Sequence, residues 1–194
     1  GQLVRERKDT LYVATKVPPQ NGVWPAEAGV PVAKLFPGAH LTSSAEQSLQ
    51  NLGLPAIDLL QLHVWRDEYL DESDEWRRAL ENLKSSGKVR FLGVSINDHD
   101  PGSALRAVAS GLFDAVQVIY NVFDQSPEDG LLDACVRNDV GVIVRVPFDE
   151  GALTGRVGPG TTFPEGDFRN EYFRGDRLQQ VDAHVSAILS DLGI

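Results

Sequence analysis

The run Ala56-Ile57-Asp58-Leu59-Leu60-Gln61-Leu62-His63 carries the reading of the fold. Its apolar residues are nearly continuous rather than alternating, which is the pattern of a strand buried on both faces, and a histidine closes it. Four other runs share this character: Thr10 to Thr15, Val89 to Ser95, Phe113 to Tyr120 and Val140 to Val146. Between them, apolar residues recur at helical spacing. Ser43-Ser44-Ala45-Glu46 reads as a capping box that opens a helix over Leu49 and Leu52, stopped by Gly53. Trp76, Leu80 and Leu83 follow Ser73 and Asp74 and end at Gly87, while Leu105, Val108 and Leu112 follow Pro101. Ser126-Pro127 starts a fourth helix with Leu131, Leu132 and Cys135 on its stripe, and Leu178, Val181, Val185, Ile188 and Leu192 mark a fifth.

A strand followed by a helix, five times over, requires right-handed crossovers and a parallel sheet. Strand starts near 11, 56, 89, 113 and 140 lie 45, 33, 24 and 27 residues apart, close to the roughly 30 of a βα unit. No glycine-rich nucleotide fingerprint follows the first strand, so a barrel fits better than a dinucleotide-binding open sheet. A complete eightfold barrel needs about 250 residues. The expected fold is therefore α/β: a single domain over residues 1–194, a partial TIM (β/α)8 barrel with about five of eight parallel strands and helices on the outside.

Composition narrows the partners. The 194 residues hold 18 Lys and Arg against 28 Asp and Glu, a formal charge of −10, which argues against a nucleic-acid surface. One cysteine forms no internal disulfide, no stretch approaches the roughly 20 apolar residues of a membrane helix, and no signal peptide opens the chain. No nucleic acid, no membrane and a reducing, cytoplasmic setting are expected. Methionine is missing and Gly1 comes first, so the expected origin of this N-terminus is processing, an expression scar or truncation, and the fold reading allows for missing sequence upstream.

Polar groups close three consecutive strands: Lys16 after Tyr12 to Thr15, His63 after Leu59 to Leu62, and Ser95 with Asn97 after Phe91 to Val94. Taken singly, Lys16 reads equally as a snorkelling surface lysine and His63 as a satisfied core histidine. Taken together at one barrel mouth, Lys16 and His63 gain a functional reading, because both could reach one carbonyl oxygen or one acid.

These segments resemble the aldo-keto reductase family. Val13-Ala14-Thr15-Lys16 is similar to the strand ending in the family's catalytic lysine, and Leu52 through His63 to the segment ending in its catalytic histidine. Gly87 through Ser95 is similar to the strand that leads to the nicotinamide contacts, with Gln117 and Tyr120-Asn121 on the next. Gly141 to Phe148 followed by Gly151-Ala152-Leu153-Thr154-Gly155 is similar to the strand and loop that cover the cofactor. The resemblance runs from residue 9 to about 190. It implies hydride transfer between NADP(H) and a small-molecule carbonyl, with a tyrosine as proton donor. Lys16 would lower that tyrosine's pKa and His63 would orient and polarise the carbonyl. Ser95, Asn97 and Gln117 would hold the nicotinamide carboxamide, Arg145 would stand in the place of a ring-stacking tyrosine, and Leu153, Thr154 and Gly155 would approach the pyrophosphate through backbone amides.

Two departures accompany it. Ile96 separates Ser95 from Asn97 where members place Asn directly after Ser. The family's aspartate and proton-donating tyrosine lie upstream of the lysine strand, its 2′-phosphate motif beyond residue 194, and Tyr12 sits about 13 Å down the same strand from Lys16. The expectation is an enzyme impaired for want of its donor, the alternatives being a non-catalytic cofactor-binding or regulatory module, or a truncated product. Open barrel edges would favour self-association. No metal is expected. The acids Asp67, Glu68, Asp71, Glu72, Asp74 and Glu75 read as a solvated face before a helix, Asp98-His99-Asp100 as a helix cap, and Cys135 as an inert core thiol. Gln20 to His40 and Arg156 to Asp176 read as specificity loops, with Trp24, Trp65, Phe163 and Phe168 as candidates for a substrate wall.

Overall fold

The structure, a computed structural model, describes residues 1–7 and 11–193. Two compact units divide the chain: Gly1–Ile119 with Gln125–Arg145, and Tyr120–Asp124 with Val146–Ile194. The first holds one parallel sheet of five strands in the order β1 (Ala14–Val17), β2 (Ile57–Leu62), β3 (Val89–Ser95), β4 (Ala115–Ile119) and β5 (Gly141–Arg145). Strand order follows chain order without a reversal, as in a barrel wall and unlike a doubly wound sheet.

The first strand lies further along the chain than expected, so Lys16 sits inside β1 instead of after it. The Val13 N–H donates to the Asp58 side chain at 2.8 Å, which takes the preceding segment out of the ladder, and Tyr12 is 88% exposed. Thr10 lies outside the described residues.

The helices of this unit are α1 (Gln2–Glu6), α2 (Val32–Leu35), α3 (Gly38–Leu52), α4 (Glu75–Ser85), α5 (Leu105–Ala109) and α6 (Leu131–Arg137). Leu60, Leu62, Leu92, Val94, Val116 and Val118 of the sheet are buried in one cluster with Leu41, Ala45, Trp76, Leu80, Leu83, Val108, Leu131 and Cys135 of the helices. This is the core, between strands and helices. Trp65, read as a wall candidate, is part of it: the indole is fully buried against Tyr69, Trp76 and Phe113 at ring distances of 5.6, 5.7 and 5.0 Å.

Helix starts differ from the local reading. The Ser43 capping box lies inside α3, where the Ser43 hydroxyl donates to His40 O. The helix begins at Gly38 behind Pro37, which has no acceptor side chain, and Glu75 supplies the cap across space by accepting the Gly38 N–H at 3.1 Å. Glu72 accepts from Val32 N at the start of α2 at 2.8 Å, and Asp67 accepts from the N–H groups of Arg106 and Ala107 at the start of α5 at 2.6 and 2.9 Å. Half of the acids expected to be merely solvated thus saturate orphan donors of three other helices. The stretches after Pro101 and Ser126 open as 3-10 turns (Pro101–Ala104 and Ser126–Glu128) before their α-helices.

The second unit carries a 3-10 segment Asp149–Thr154, α7 (Arg169–Tyr172) and α8 (Arg177–Leu192). Ala152, Phe173 and Val181 form its core with Phe163, Leu178 and Val185 around them. Buried Asp149 accepts from the Tyr172 hydroxyl, and Arg177 donates to that hydroxyl at 2.8 Å. No helix among the described residues is long and apolar enough to cross a membrane.

Candidate active site

Register gathers the candidate residues. Lys16, Gln61, Gly93, Ala115 and Gly141 stand in one row across the sheet, and Ser95, Gln117 and Ile143 stand in the row two residues further toward the strands' C-terminal ends. Residues two apart on a strand share a face, so His63, two past Gln61, and Arg145, two past Ile143, join them. The His63 N–H donates to Val17 O at 3.0 Å, carrying the ladder past the end of β2. Lys16, His63, Ser95, Gln117 and Arg145 therefore share the face turned away from the core, at the C-terminal ends of five consecutive strands. The row is tight at Gly93, where a Cβ would lie 2.9 Å from Ala115 O.

The electrostatics of this face are cationic. Burial, then the charges of Lys16 and Arg145, push the His63 imidazole down to about 4. Burial and Arg145 also lower Lys16. The Arg145 guanidinium is tied down by an ion pair with Asp98 and a 3.3 Å bond from Nη2 to Ile96 O. Asp98, read as part of a helix cap, is thus the counter-ion of Arg145. The indole of Trp24 meets the His63 ring edge-on at a centroid distance of 3.8 Å.

Polar groups on this face fit a carboxamide. Ser95 is fully buried and its hydroxyl reaches Gln117 Oε1 only at 3.5 Å, so both groups keep hydrogen-bonding capacity. Asn97 is buried with Oδ1 accepting from Ala26 N at 3.2 Å, leaving Nδ2 as its donor. Gln61, which the sequence reading passed over, is 1% exposed and its Oε1 has no partner. A lone amide in an otherwise apolar run was the available signal. Such orphaned buried acceptors and donors are what an amide-bearing ligand satisfies.

Leu153, Thr154 and Gly155 belong to the second unit. The Leu153 N–H donates to Phe148 O at 3.1 Å, Thr154 Oγ1 donates to Gly151 O at 2.6 Å, and Gly155 closes the turn at φ 70° with open space where a side chain would be. Among the other wall candidates, Phe163 stacks on Phe173 at 5.5 Å within this unit and Phe168 is exposed.

The Aldo/keto reductase family profile matches residues 1–192. An NADP(+) aldo-keto reductase of Schizosaccharomyces pombe is 32% identical over 135 residues, which are 68% of this chain and 38% of that protein. The NADH-specific methylglyoxal reductase of Escherichia coli is 33% identical over 112 residues, 57% of this chain and 33% of that one. The solved glycerol dehydrogenase of Gluconobacter oxydans superposes with a TM-score of 0.73 at 27% identity, covering 97% of this chain and 57% of its own. This chain therefore spans between 33 and 38% of these curated relatives and 57% of the solved one, and its five-stranded sheet corresponds to part of a (β/α)8 barrel. With five strands in the expected order, the lysine and histidine on one face and the match over nearly all residues, the chain belongs to the aldo/keto reductase family.

Proposed function

We propose that this chain carries the cofactor and carbonyl site of an oxidoreductase that passes hydride between NADP(H) and an aldehyde or ketone. The observation that carries the reading is the shared face of Lys16, His63, Ser95 and Gln117 at the ends of neighbouring strands. NADP(H), when bound, supplies or accepts the hydride. Ser95, Gln117 and the Asn97 Nδ2 would hold its carboxamide and so orient the group that carries the hydride. Arg145 would offer a planar guanidinium to the ring. His63, neutral at physiological pH, donates an N–H to the carbonyl oxygen and strengthens that bond as negative charge grows there. The ammonium of Lys16 favours ionisation of a neighbouring hydroxyl and so makes it a better proton donor.

That hydroxyl is the weak point. The first unit's tyrosines are Tyr12 and Tyr69; Tyr12 lines a cavity with Leu54, Pro55 and Arg90, and Tyr69 is buried against Trp65. Neither stands beside Lys16 on the inner face. The 194-residue polypeptide alone is accordingly a binder of NADP(H) with turnover far below that of complete reductases. Oxidation of NADPH by 4-nitrobenzaldehyde, followed at 340 nm, together with a fluorescence titration of NADPH, tests both halves. Binding with a rate at least a hundredfold below a complete family member is expected. A comparable rate would refute the impairment, and no binding would refute the site. We also infer that copies of the chain associate through the free edges of β1 and β5, each of which pairs on one side only among the described residues.

A further inference from the structure

We infer that Trp24 is a positioning residue for His63 and that Asn97 holds it in place through the loop between β1 and α2. The inference rests on His63 as the group that faces the carbonyl. Residues 18–31 contain no helix or strand. Bonds to other parts of the fold tie their path at three points: His40 Nε2 lies 2.8 Å from Pro18 O, the Gln20 N–H donates to Leu35 O at 2.8 Å, and the Ala26 N–H donates to Asn97 Oδ1 at 3.2 Å. Ala26 and Asn97 are both more than nine-tenths buried, so this last bond is shielded from water and ties the loop to the segment after β3. Two residues before the anchor, the Trp24 indole lies against the imidazole at 3.8 Å with the ring planes 72° apart, while 42% of the residue faces solvent.

The position of the indole has a chemical consequence. The charged groups that face His63 are Lys16 from β1 and Arg145 from β5, the latter paired with Asp98. Both cations disfavour imidazolium, and the indole removes water that would otherwise solvate it. A ring kept dry and neutral carries one N–H for the carbonyl oxygen and one free nitrogen, and its plane is fixed by the edge-on contact. Asn97 thus serves the substrate end of the site through its carbonyl oxygen, independently of any bond its Nδ2 makes to cofactor.

A histidine NMR titration of the intact chain tests this without substrate or cofactor. The four histidines are separated by comparison with His63→Gln. In Trp24→Ala the His63 midpoint is expected to rise by about one pH unit toward the free-imidazole value, and in Trp24→Phe by clearly less. Asn97→Ala is expected to raise it in the same direction, and adding it to Trp24→Ala to raise it no further, because both act through the indole. Should Asn97→Ala fail to fold, Ala26→Pro deletes the same donor while sparing Asn97. An unmoved midpoint in Trp24→Ala overturns the role of the indole, and additive shifts overturn the route through Asn97. Loss of turnover with the titration shifts intact counts only against the catalytic reading.

Discussion

Three influences act on His63 in one direction: burial first, then the charge of Lys16, then that of Arg145. The sign for folding follows from where the proton goes. The unfolded chain protonates this imidazole near 6.5 and the folded one only near 4, so between those values the unfolded state binds more protons and stability rises with pH. The stabilisation of the neutral form is complete above 6.5 and is lost as the pH falls through about 4. Urea midpoints measured from pH 7.5 down to 4.5 should therefore fall less steeply in His63→Gln than in the parent chain. Parallel slopes would show that His63 is not held neutral. The residue itself was legible because a titratable group closed an apolar run. Its indole neighbour was legible only as one of four aromatic candidates, since the contact depends on a loop path that no local pattern encodes, whereas Trp65 had the same apparent credentials and went to the core.

Among elements, four of the five strands could be read from their continuous runs of β-branched and aliphatic residues, while the first lies a few residues further along than its run, at Ala14–Val17. Helix starts could not. A capping rule looks for an acceptor within three residues of the orphan donor, but here the acceptors come from 37 to 40 residues away, with Glu72, Glu75 and Asp67 serving α2, α3 and α5. The difference matters for which acid can be removed. Asp67 accepts two backbone N–H groups of α5 and the Trp65 indole N–H at 2.9 Å, so Asp67→Ala strands three donors next to the aromatic core and should cost roughly 1–2 kcal/mol in urea unfolding. Asp71, in the same acidic run, pairs with Arg106 at an exposed position, where screening and side-chain entropy cancel most of the attraction. Asp71→Ala should unfold with the parent midpoint. Equal losses at the two positions would mean that the run acts through its bulk charge and not through the caps.

For the whole molecule, the sheet and the charge pull in opposite directions. Among the described residues β1 and β5 each pair on one side only, and Phe91, Val142 and Val144 leave apolar area in water at 51, 37 and 41% exposure. The formal charge of −10 repels a second copy. Edge pairing acts at contact distance, while the repulsion is long-ranged and is screened over about 10 Å at 0.1 M salt, so the balance is set by ionic strength. Light scattering should find mostly monomer at roughly 10 mM salt, where the screening length is about 30 Å, and a growing share of dimer or larger species toward 0.5 M. A lysine placed on the outer edge by Val144→Lys should weaken association if apolar contact at β5 drives it, even though that substitution lowers the net negative charge and so relieves repulsion. Stronger association of Val144→Lys would assign the effect to charge alone, and a monomer at every salt concentration would show that the free edges are not available to a second chain.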